Sequence, residues 1–95
     1  MRRQGPARNT FDQKTVNAVP DQPGVFAIFS SDSQHVATHI ANANLRGAVR
    51  REATAHPEAL EQNWFFVLMV ERDADTRADL LAKWQESPEN VLTGG

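Results

Sequence analysis

The chain predicts an α+β fold: a three-stranded antiparallel sheet of spatial order 2-1-3, packed with helices. Three observations carry this reading. Two apolar runs, residues 25–29 and 64–70, are too short for buried helices and are rich in β-branched and aromatic residues. The polar turn Ser30-Ser31-Asp32-Ser33 joins the first run to an alternating stretch, as a hairpin requires. Helical periodicity then follows each hairpin or strand, with an asparagine or aspartate ahead of it.

Residues 1–9 carry Arg2, Arg3 and Arg8 with Gly5 and Pro6 and no apolar period, which predicts a flexible basic arm before a single domain of residues 10–95. Phe11, Thr15, Ala18 and Val19 are spaced for a short helix, with Thr10 and Gln13 as a capping box. Pro20 and Pro23 end it and keep the chain extended. Val25-Phe26-Ala27-Ile28-Phe29 is then the central strand, apolar on both faces.

The second strand, residues 35–40, alternates. Strict alternation puts Val36, Thr38 and Ile40 on one face and His35, Ala37 and His39 on the other, which suits an edge. Asn42 or Asn44 caps a helix with Leu45, Ala48, Val49 and Glu52 along one side and Arg46, Arg50 and Arg51 turned away. His56-Pro57 breaks that helix, and Pro57 with Glu58 starts one further turn. Residues 64–70 must lie beneath helices or a partner, since an uncovered strand of this composition would aggregate. Asp73 or Asp75 caps the last helix, whose inward residues are expected to be Ala78, Leu81 and Trp84. Ser87-Pro88 stops it, Val91-Leu92 folds back toward the sheet, and residues 93–95 fray.

Composition bounds the chemistry. With 95 residues, 40% hydrophobic and 23% charged, the chain has one ordinary core. The longest apolar run is far below the ~20 residues of a membrane span, and no secretory leader is visible, so a soluble cytoplasmic protein is expected. The absence of cysteine excludes disulfides and thiolate chemistry. A net charge of −2 divides unevenly: residues 1–51 hold seven Lys/Arg against three Asp/Glu, and residues 52–95 hold three against nine. That balance does not favour a polyanion partner.

The words inside this order resemble the GIY-YIG nuclease domain. Pro20 followed by Pro23-Gly24-Val25-Phe26-Ala27-Ile28 resembles that family's opening strand, Asn44-Leu45-Arg46 with Val49 the start of its first helix, and Leu80-Leu81 with Pro88 and Asn90 its closing segment. The resemblance implies a sheet carrying two catalytic tyrosines, a helix arginine and a metal-binding glutamate. Position by position, the first tyrosine falls on Phe26 and the second near His39. The arginine falls on Ala48, and the glutamate on Arg77. The chain contains no tyrosine at all, so no alternative register restores that chemistry.

The expectation is therefore a degenerate nuclease, a pseudoenzyme without catalytic residues, cofactor or metal, acting as a small binding module with a protein partner or as a homo-oligomer. One alternative is a nucleic-acid binder using Arg46, Arg50 and Arg51. Another is a diverged metal-dependent nuclease with His39 as base. A metal pair of His35 and His39 lacks a third ligand, and ordinary edge-strand histidines outweigh it. Trp64 and Trp84 read as core anchors.

Overall fold

The computed structural model describes residues 8–93, in the order β1 (Asn9–Thr10), α1 (Gln13–Asn17), β2 (Gly24–Phe29), β3 (His35–Ala41), α2 (Leu45–Ala55), α3 (Glu58–Glu61), β4 (Phe65–Val70), α4 (Ala74–Glu86) and α5 (Pro88–Thr93). The sheet is antiparallel with strand order β1-β4-β2-β3. The three expected strands are thus neighbours as expected. The fourth, β1, corrects the three-strand expectation: Asn9 pairs with Phe66 and Thr10 with Phe65. Two polar residues carry no strand signature of their own, and Asn9 also donates from its side chain to Phe66 O (3.1 Å). Asn9, assigned to the predicted arm, thus belongs to the sheet, and residues 1–7 of that arm, like Gly94 and Gly95, lie outside the described residues.

β2 is buried along its whole length, because helices cover both faces of the sheet. Phe26, Ile28 and Phe66 pack with Phe11, Val16, Val19, Leu45 and Val49 beneath α1 and α2. On the other face Ala27, Phe29, Phe65 and Val67 meet Val91 of α5, with Trp84 against them. Phe29 and Phe65 stack there at 5.4 Å. Gly24 is where backbones approach closest: a Cβ would stand 2.2 Å from Met69 O and 2.7 Å from Leu45 Cδ1, so only glycine fits.

The helix starts differ in detail from the sequence reading. Thr10 lies in β1 and its hydroxyl donates to Asp12, which is the actual cap of α1, accepting from Thr15 N–H at 2.7 Å. The shift turns Val16 inward and leaves Ala18 exposed. Asn44 caps α2 by accepting from Gly47 N–H (2.6 Å). Asp73 caps α4.

α4 brings the largest correction. Its buried residue is Arg77, 7% exposed, while Ala78 faces solvent and Leu81 and Trp84 are half-buried. The reason is hydrogen bonding at the end of β4. Arg77 Nη1 donates to Glu71 O (3.1 Å) and Arg72 O (2.9 Å), and Nη2 donates to Asn42 Oδ1 (3.3 Å). Carbonyls leaving a sheet need donors, and a guanidinium carries five N–H groups. β4 is also less covered than its composition suggests: Met69 is 44% exposed.

Candidate functional site

A cluster of histidines and carboxylates forms where β3 meets α2. His39 pairs with Phe26 across the β2–β3 ladder, and their rings lie 5.4 Å apart. Glu52 sits two turns into α2, on the inward side that Leu45 and Val49 define, and reaches under the sheet edge. Its Oε1 is 2.9 Å from His39 Nε2 and 3.8 Å from His56 Nε2. The His39 contact is close enough for an ion pair but off the line a hydrogen bond needs, and Nε2 is sealed from solvent. The far ring nitrogen of His56, Nδ1, lies 3.1 Å from Glu58 Oε1, and its ring is 6.0 Å from Trp64. The Glu58 carboxyl is held below its ordinary range by its own backbone N–H at the start of α3 and next by His56.

Such a cluster sets two imidazoles against two carboxylates beside the β3 edge. It does not reach a metal or a nucleophile: among the described residues no three His, Asp or Glu side chains are arranged to bind a cation. His35 stands apart from it. The β2–β3 register shifts between Ile28 and Phe29, making Val36 the extra residue of a bulge, so His35 lies opposite Phe29 rather than on the face of His39. There its ring contacts Phe29 (5.6 Å) and Nε2 is 2.7 Å from Thr38 Oγ1. Desolvation lowers the pKa of His35 from its ordinary value. The expected shared face for the two histidines is thereby corrected, and with it the conceivable metal pair.

The four positions marked by the family resemblance divide into two groups. Phe26 is fully buried, His39 lies against it, and Ala48 packs on the same apolar cluster from α2. Arg77 is not with them; its hydrogen-bond partners are Asn42 and the chain leaving β4. Of the helix arginines, Arg46 Nε donates to Val19 O (2.8 Å) and Arg50 Nη2 to Asn17 Oδ1 (2.7 Å). Both therefore tie α2 to the end of α1, while Arg51 stays exposed.

Glu52 and His56 were not singled out from sequence as site residues. Their signal was present: a glutamate on the inward stripe of α2, with a histidine one turn later. The chain matches no protein-family model, and neither the curated proteins nor the solved structures yield a match.

Proposed function

We propose that this chain is a catalytically inactive GIY-YIG-like domain that acts as a small binding module for a protein partner. The observation that supports this most is the state of position 26. A phenyl ring without exposure, packed on His39 and inside the apolar cluster, offers no proton to a reaction and no access to a phosphodiester. Arg77, at the position of the family's metal-binding carboxylate, is cationic and committed to backbone carbonyls. Arg46 and Arg50, engaged with α1 and its exit, favour a protein over a nucleic acid as partner.

The His39–Glu52 contact favours one second reading, a diverged nuclease with His39 as base and Glu52 as its orienting carboxylate. Among the described residues, no group of three His, Asp or Glu side chains fits the metal that such an enzyme would use. The two readings separate when labelled single- and double-stranded DNA and RNA are titrated at two salt concentrations with magnesium or manganese and run on a denaturing gel. The binding-module reading expects neither cleavage nor salt-sensitive retention. Cleavage lost in His39→Ala would establish the second reading instead.

A further inference from the structure

We propose that the outer edge of β4 receives an extended acidic and apolar segment of a partner protein as an added strand. This deepens the binding-module reading and rests on it. The direction of the edge follows from one bond. Glu71 N–H donates to Pro23 O (2.9 Å), and the two-residue period of an antiparallel ladder carries the same pairing to Met69 with Val25 and Val67 with Ala27. The N–H and C=O groups of Leu68 and Val70 therefore point away from β2. On that side, among the described residues, β1 pairs only with Phe66 and Phe65. Among the described residues, no strand lies along the outer side of Leu68 or Val70.

A cleft flanks this edge on each face. On one, Leu68 with Ala18, Val19, Pro20 and Lys14 lines a space of about 530 Å³. On the other, α4 lies over β2 and β3 and leaves Met69 uncovered, and Met69 with Trp84, Leu80, Val91 and Lys83 lines about 390 Å³. Side chains of an added strand alternate between faces, so successive residues would enter the two clefts in turn. Main-chain bonds to Leu68 and Val70 would supply the register.

Charge selects the occupant. Among the described residues, Lys14 is the only charged one lining the first cleft, and Lys83 lies in the second beside Glu86. Neither lysine has an ion-pair partner among the described residues. A strand with acidic side chains would meet a cation on both faces, whereas a basic strand would be repelled from the first.

The test uses the full chain, labelled with ¹⁵N, and an eight-residue peptide in which pairs of glutamates alternate with pairs of valines, so that both faces of the added strand carry glutamate and valine. Controls are the lysine-valine peptide and a glutamate-valine peptide N-methylated at alternate residues. The expected result is fast amide exchange at Leu68 and Val70 in the free protein, slowed at least about tenfold by the glutamate-valine peptide alone. The double variant Lys14→Glu/Lys83→Glu, changed only at surface positions, should weaken that binding by about tenfold or more. Equal binding of both peptides, binding undisturbed by N-methylation, or amides already protected in the free protein would overturn the proposal. Failure of the peptide with nucleic acid left intact removes this edge but not the binding module; cleavage of nucleic acid removes both.

Discussion

The two faces of the sheet are closed by different chemistry. Toward α1 and α2 the centre of the closure is apolar, with Phe26, Ile28, Phe66, Leu45 and Val49 at most 1% exposed, and the His39–Glu52 contact lies at its β3 edge. Toward α4 and α5 the apolar layer is smaller, its rim is held by the Arg77 guanidinium, and Met69 remains uncovered. The first face resists change because every position touches several others, as in any close-packed interior. The second is fastened by directed bonds just beyond the end of β4 and left open at Met69. Stability therefore rests chiefly on the first face, whose His39–Glu52 contact lies at the β3 edge, and the opening on the second lies at Met69 beside the outer edge of β4.

The largest effect expected from this contrast is on the first face. Phe66→Ala, which also removes the 4.9 Å ring contact with Phe11, should destabilise by about 3–5 kcal/mol in chemical denaturation, and a loss of under about 1 kcal/mol would show the face to be loosely packed. Gly24→Ala is next: with Met69 O in the way of a Cβ, about 1–3 kcal/mol should be lost, and Met69 should shift in the amide spectrum. On the second face, Arg77→Ala leaves the Glu71 and Arg72 carbonyls and Asn42 Oδ1 without their donor, at a cost of about 1–3 kcal/mol. Arg77→Lys should recover only part of this, because one ammonium cannot reproduce the planar fork.

The smallest effects are pH dependences, and their signs differ in origin but not in direction. Desolvation places the folded pKa of His35 below its unfolded value, so the unfolded chain binds the proton more readily. Its contribution is complete above the unfolded pKa of about 6.5 and declines as pH falls through the folded value. His35→Gln should flatten the denaturation midpoint across that window. Asp73 is held below its ordinary range by the Thr76 hydroxyl and then by the Thr76 backbone N–H. Its contribution is complete above the unfolded pKa of about 4 and is lost as pH falls through the folded value, a dependence that Asp73→Asn should remove while keeping the cap.

The first face was legible in the sequence because helix and strand periods both wrote it in apolar residues: the run through Phe26 and Ile28, and the stripe through Leu45 and Val49. The second was misread at Arg77 because periodicity assigns inward positions by hydrophobicity, whereas this position answers to carbonyls brought there by the end of β4. β1 escaped notice because backbone pairing supplies what its two polar residues lack. The bulge at Val36 was equally silent, and one extra residue was enough to separate His35 from His39. The site cluster was half legible: His39 was singled out, and Glu52 was placed on the right side of α2 without its partner.

Phe26→Tyr is the direct test of whether position 26 serves packing rather than catalysis. The variant's unfolding free energy is measured together with its cleavage of labelled DNA and RNA in magnesium or manganese. A hydroxyl forced into this fully buried site should cost about 1–3 kcal/mol and bring no cleavage. Unchanged stability with metal-dependent cleavage would contradict the packing role and identify the fold as a nuclease one substitution from activity.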